Sequence, residues 1–253
     1  MDVNDDAGRT GAAANYFAAL QALLAEVAAT QSEAIDSAAR AAAACVADGG
    51  MVHVFGSGHS QLVAIEPMVR AGGLGAVAAV VDPALSSVRP RRAALTERLP
   101  GYGAATMELA DLRRGEVLFV VSNSGINPVP VDAALAARER GVHVVGVTSL
   151  AHSGAASPRH PSGRRLFEVA DTVIDTRVPP GDTAITVSGA ATGAVSTILG
   201  CAVLHAVTAR TVELLAERGV EVPLLRSQNL DGAEESNARA LAPYRTRLGP
   251  QTA

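Results

Sequence analysis

Met51-Val52-His53-Val54-Phe55-Gly56-Ser57-Gly58-His59-Ser60 is a short apolar run stopped by a Ser/Gly turn. Val117-Leu118-Phe119-Val120-Val121-Ser122-Asn123-Ser124-Gly125-Ile126-Asn127 repeats the design. Each run is followed by a stretch of helical character: 60–71, closed by Gly72-Gly73, and 129–140, closed by Gly141. Further strands are expected at 76–81, 142–147 and 173–175, with a helix over 101–111 and a long one over 192–217. Two Ala/Leu-rich helices, 12–29 and 32–47, precede the first strand. Residues 84–99 read as irregular, 152–164 as a polar loop and 222–253 as a polar tail. Continuous apolar strands alternating with helices mean a parallel sheet covered on both faces, an α/β fold. In such a sheet ligands bind beyond the carboxyl ends of the strands, so the loops at 56–60, 122–127 and 148–153 are expected to face one crevice.

The rest of the chain narrows the chemistry. Its 253 residues suit a single domain, here divided into helices over 1–48, an α/β core over 49–221 and an extension over 222–253. The net charge of −4 supplies no basic field for nucleic acid or an anionic membrane. Lys does not occur at all, which removes Schiff-base chemistry and the Walker lysine. Cys45 and Cys201 lie in Ala-rich helical stretches and read as buried thiols in a reducing compartment. The start Met1-Asp2-Val3-Asn4-Asp5-Asp6 has no signal-peptide character, and no apolar run reads as a membrane span, so the expectation is a cytoplasmic protein. No His/Cys/Asp spacing resembles a metal site, and no cofactor is expected.

Both Ser/Gly loops join a strand to a helix N-terminus, where orphan amides and the helix dipole favour an anion. The pair points to a phosphate held by hydroxyls and amides without a cation. A dinucleotide fold competes: Gly56, Gly58 and Asp82 fit its fingerprint. Position 61 is Gln rather than Gly, however, and the second Ser-rich loop has no role there.

The motifs HVFGSGHSQLVAIE (53–66), RAGGL (70–74), VSNSGINPVP (121–130), TSLAHS (148–153), RHPSGRRLFEVAD (159–171) and NLDG (229–232) together resemble the sugar isomerase (SIS) domain family of phosphosugar enzymes and binding modules. The resemblance covers about 33–237 and is nearest a bacterial subgroup similar to N-acetylglucosamine 6-phosphate dehydratases, kin to the N-acetylmuramic acid 6-phosphate etherases. It implies a three-layer α/β/α sandwich around a five-stranded parallel sheet, and a homodimer. It also implies a phosphate cradle from Ser57 or Ser60 with Ser122, Asn123, Ser124 and Asn127, and weaker contributions from Ser188 and Thr192. The segment holding Asn229 and Asp231 is expected to fold back toward the sugar.

Within that frame Glu66 is the expected base, two turns into the helix that starts at Ser60 and roughly 9 Å along its axis. Pro67 puts a kink beside it, and Arg70 at i+4 offers an ion pair instead. His59 is placed to protonate a leaving or ring oxygen. His205 reads as a core or interface histidine, although some relatives use a histidine on this helix; His53 and His143 read as structural, and His152 and His160 as interface residues. The implied reaction removes the C2 proton of an N-acetylamino-sugar 6-phosphate and eliminates the C3 hydroxyl. The alternatives are aldose–ketose isomerisation and binding without turnover.

Overall fold

A computed structural model describes residues 11–248; the expectations for the first ten and last five residues lie outside it. Helices α1 (Ala12–Thr30) and α2 (Ser32–Ala47) lead into β1 (Val52–Gly56), α3 (Ser60–Ile65) and β2 (Val77–Val80). Then come α4 (Pro90–Thr96), α5 (Tyr102–Leu109), β3 (Val117–Val121), α6 (Pro128–Glu139), β4 (His143–Thr148), α7 (Leu150–Gly154) and β5 (Thr172–Asp175). A hairpin of β6 (Ile185–Val187) and β7 (Ala190–Thr192) precedes α8 (Ser196–Glu217), α9 (Ala233–Leu241) and α10 (Arg245–Leu248).

Five parallel strands pair in the order β2-β1-β3-β4-β5. Alternate side chains leave opposite faces of a strand. Val54, Phe119 and Val145 therefore enter one core layer with α2 and α8, while Phe55, Leu118 and Val144 enter the other with α5 and α6. This is the expected α/β/α sandwich with its five-stranded parallel sheet. The chain crosses β1 on its way from β2 to β3, so the loops after β1 and β3 run to opposite faces of the sheet. That divergence opens a crevice at their tips, the place where ligands bind in doubly wound sheets.

Several boundaries differ from expectation for local reasons. The helix after β1 stops at Ile65 instead of 71, since Pro67 lacks an N–H and disfavours helical geometry before it. The stretch 84–99 contains α4, begun by Pro90 at its first position. Part of the expected polar loop is α7. The long C-terminal helix begins at Ser196 rather than 192, because 185–192 forms the β6–β7 hairpin. The tail is structured by α9 and α10. Two helices, α1 and α8, are long and apolar enough to span a membrane by length and composition, at mean hydropathies of 1.3 and 1.5, contrary to expectation. α8 packs on α2 and supplies much of the core, whereas α1 buries only Val27. Of the thiols, Cys45 is buried and pushed up to about 12, chiefly by burial, while Cys201 is half-buried.

A candidate site at the strand tips

The first loop is built on a close approach. A Cβ at Gly56 would lie 2.4 Å from the Ser60 carbonyl oxygen, so only glycine lets the chain turn straight from β1 into α3. Gly58, at φ +59°, completes the turn and donates to the Leu85 carbonyl at 2.8 Å. Ser57 is buried and its Oγ donates to Glu97 Oε1 at 2.7 Å, so this hydroxyl is engaged at the end of α4. His59 is exposed and Ser60 half-buried.

In the second loop, Ser122 Oγ accepts from the Gly125 amide at 3.2 Å, which shapes the turn. Asn123 Nδ2 lies 3.3 Å from His152 Nδ1. Asn127, buried, accepts through Oδ1 from Arg159 Nη1 at 2.9 Å, and the Arg159 amide donates to the Ile126 carbonyl at 2.8 Å. A cation therefore stands beside the loop expected to work without one. The segment carrying it is strapped down by His160, whose Nε2 meets Asp132 Oδ1 at 2.9 Å. His152 and His160 thus have partners within the chain. His53 and His143 are structural as expected, meeting Glu116 and Thr172 at 3.0 Å each.

Between these loops and α8 lies a narrow cleft of about 10 Å³, room for about one water. Ser60, Asn123, Thr176, Ser196 and Thr197 supply its polar groups, and Val63, Val121 and Val147 its apolar wall. Ser188 and Thr192 do not line it: the hairpin holds both exposed, Ser188 at φ +51° in the turn. The start of α8 supplies Ser196 and Thr197 instead. Asp182 caps that helix, accepting from the Ser196 amide at 2.8 Å, the Ser196 hydroxyl at 2.6 Å and the Val195 amide at 3.1 Å.

Glu66 stands just past the end of α3. Its carboxylate pairs with Arg70 at i+4, and its Oε2 lies 2.8 Å from His205 Nε2 on α8. The imidazole is close enough for a proton to pass, although the present angle is not that of a formed hydrogen bond. Partial burial, and then the Arg70 guanidinium, hold His205 below the usual imidazole value. Arg70 already neutralises Glu66, which weakens the carboxylate's opposite pull. The imidazole is therefore neutral near pH 7 and stands beside a carboxyl group, an arrangement suited to moving one proton. Sequence reading weighed His205 as a core or interface residue, because nothing local on α8 marks its meeting with Glu66.

The C-terminal segment does fold back. Leu225 exchanges bonds with the 72–75 turn, its amide donating to the Gly73 carbonyl at 2.9 Å and its carbonyl accepting from Gly72 at 2.8 Å. Asn229 thereby lines a second cleft of about 330 Å³ with Arg70, Arg226 and Asn237. Asp231 is exposed and outside both clefts. A larger groove, about 520 Å³, follows the edge of β2. Its acids are already engaged, Asp82 by Tyr102 and Asp111 by Arg113 and Arg247, so no acid there awaits a ligand. No group of three or more His, Cys, Asp or Glu among the described residues is placed to hold a metal.

A family model described as "SIS domain" matches residues 15–149, which include both Ser/Gly loops and Glu66. The UPF0309 protein of Geobacillus thermodenitrificans is 37% identical over 92% of this chain and 95% of its own length. The UPF0309 protein of Streptomyces coelicolor is 38% identical over 89% and 92%. Among solved structures, a phosphoheptose isomerase from Neisseria gonorrhoeae superposes with a TM-score of 0.57 at 18% identity, over 79% of this chain and 97% of that one. The Vibrio vulnificus NanR protein complexed with ManNAc-6P does so at 0.52 and 13%, over 92% and 69%. With the parallel five-stranded sheet and the paired strand-tip loops already in place, the chain belongs to the SIS domain family.

Proposed function

We propose that this protein is a phosphosugar lyase that dehydrates N-acetylglucosamine 6-phosphate across C2–C3. The observation that carries the proposal is the Glu66–His205 pair, 2.8 Å apart, with Glu66 just past the helix that leads out of the first Ser/Gly loop. The C1 aldehyde of the open-chain sugar acidifies the C2 proton. Glu66 takes that proton, the C2=C3 double bond forms, and the C3 hydroxyl leaves as water with a proton from the pair. One proton is taken and one returned, so the pair ends each turnover as it began. An N-acetyl group at C2 leaves no hydroxyl to become a ketone, which blocks ketose formation and favours elimination. The phosphate lies against the 122–127 loop, with Ser124, the loop amides and Arg159 as donors. The NanR protein, of similar fold and complexed with ManNAc-6P, supports an N-acetylated sugar phosphate as ligand.

The test is incubation of the pure protein with N-acetylglucosamine 6-phosphate in deuterated water. Loss of one water by mass, with an enal absorbance, is expected. Glu66→Gln should lower turnover by at least about a hundredfold and retain binding. No C2 exchange and no product would end the lyase reading. Aldose–ketose isomerisation is the second reading, favoured by the fold likeness to phosphoheptose isomerases; a product of unchanged mass from a non-acetylated sugar phosphate would select it. The same proposal takes the working unit to be a homodimer built through α1.

A further inference from the structure

The segment from Asp82 to Leu99 is sewn to the strand tips on two sides. The Gly58 amide donates to the Leu85 carbonyl at 2.8 Å, Gln61 Nε2 to the Asp82 carbonyl at 2.9 Å and Ser57 Oγ to Glu97 Oε1 at 2.7 Å. On the other side the Val129 amide, in the first turn of α6, donates to the Glu97 carbonyl at 3.2 Å. α4 therefore stands at the rim of the crevice, between the first loop and the helix that follows the second. Ala93 and Thr96 face inward and are buried, while Arg91 and Leu95, four residues apart, lie on the exposed side with Arg98 just beyond.

This rim is cationic in a chain whose net charge is −4. Between residues 82 and 99 stand Arg89, Arg91, Arg92 and Arg98, against only Asp82 and Glu97. Both acids are spent: Asp82 accepts from the Ala84 amide and the Tyr102 hydroxyl, and Glu97 from Ser57. The arginines are all exposed, and none of their guanidinium groups makes a hydrogen bond or ion pair among the described residues. Arg70, Arg210 and Arg247, by contrast, each hold a carboxylate. Unpaired cations gathered beside a cleft raise the local concentration of an anion and speed its capture without touching it once bound. We propose that this arginine collar steers phosphorylated sugars to the strand-tip crevice, acting on the rate of capture and not on the grip. This rests on the sugar-phosphate reading above and deepens it.

Association and dissociation rates are measured by phosphorus NMR line shapes in the Glu66→Gln background, where turnover does not interfere. The probes are N-acetylglucosamine 6-phosphate and glucose 6-phosphate, at about 20 mM and about 500 mM ionic strength. Arg91→Gln, Arg92→Gln and Arg98→Gln together should slow association of both sugars about five- to tenfold at low salt, with dissociation little changed, and the difference should close at high salt. The same three positions changed to Lys keep the charge and lose the planar fork, and should associate at the unsubstituted rate. Melting curves confirm that each variant folds. No slowing at low salt overturns the steering, as does a loss that persists at high salt or that Lys does not restore. If both sugars show the salt-dependent loss yet the native protein dehydrates nothing, the lyase reading falls and the collar stands. If neither sugar binds the native protein, both fall.

Discussion

Arg70 touches the Glu66 carboxylate from the turn after α3 while the His205 imidazole approaches it from α8, so a guanidinium and an imidazole meet at one carboxylate. A carboxylate alone would favour the imidazolium; burial and Arg70 oppose it, and they win. A His with a lowered value stays neutral at pH 7 and takes its proton only as the pH falls below its ordinary 6.5. In Arg70→Gln the opposing charge is gone and Glu66 is unpaired, so His205 rises. The acid limb of the kcat/KM profile should then move to higher pH, with activity near pH 6 falling more than activity near pH 8. A uniform drop at all pH values would mean that Arg70 only positions Glu66. Glu66 and its i+4 partner were legible because both follow the first loop closely in sequence. His205 was not, since its meeting with Glu66 depends on how α8 crosses α3, where a Cβ on Gly200 would lie within 3.2 Å of both Val63 methyls. Glu97, which holds Ser57, escaped for a similar reason: it sits in a segment read as irregular.

The five strands of the parallel sheet were legible element by element because their apolar runs end in Ser, Asn, Asp or Gly. The C-terminal elements were not, since 222–248 is polar and owes its structure to contacts with distant residues. Its anchor is Arg247, whose guanidinium pairs with the buried Glu116 beyond the other end of the sheet. Burial alone would push the Glu116 carboxyl up. The bonds from His53 and Arg247 and from the Met51 and Arg113 amides outweigh this and hold it well below the usual carboxylate range. A carboxyl with a lowered value contributes stability above its ordinary 4.5, and that contribution is lost as the pH falls toward the folded value. Removing one partner of a buried pair strands the other charge. Arg247→Met should therefore cost about 3 kcal/mol at pH 7, a fall of about 6–12 °C in Tm. The difference from the native protein should narrow on acidification, as both lose the ionised Glu116. An unchanged Tm at pH 7 would show that α10 is not docked in solution.

At the scale of the whole molecule, α1 is the long helix that the core covers least, with Tyr16, Leu20, Leu23 and Leu24 only partly buried against it. Its 19 residues carry a single charge, Glu26, and bury only Val27. Tyr16 fixes it to the hairpin by donating to the Ala194 carbonyl at 2.8 Å, with its ring against Gly193. The other side presents Ala14, Phe17, Gln21, Ala25 and Ala28, all exposed and spaced as one helical stripe, with Phe17 61% exposed. Small residues around one aromatic let two helices approach to the usual 8–10 Å, so the same stripe on a second copy is a complementary cover. An isologous contact buries α1 of both chains at once. Light scattering on the native chain at micromolar concentration should give twice the chain mass or a multiple of it. Phe17→Glu combined with Ala28→Glu, which puts two carboxylates on that stripe, should give one chain mass while far-UV circular dichroism keeps its helical signal. Because the site lies across the molecule's other helices rather than on α1, ligand affinity of that variant should change by less than about threefold. A native protein that runs as a single chain, or that floats with neutral lipid vesicles through α1, would refute self-association as the cover for this helix.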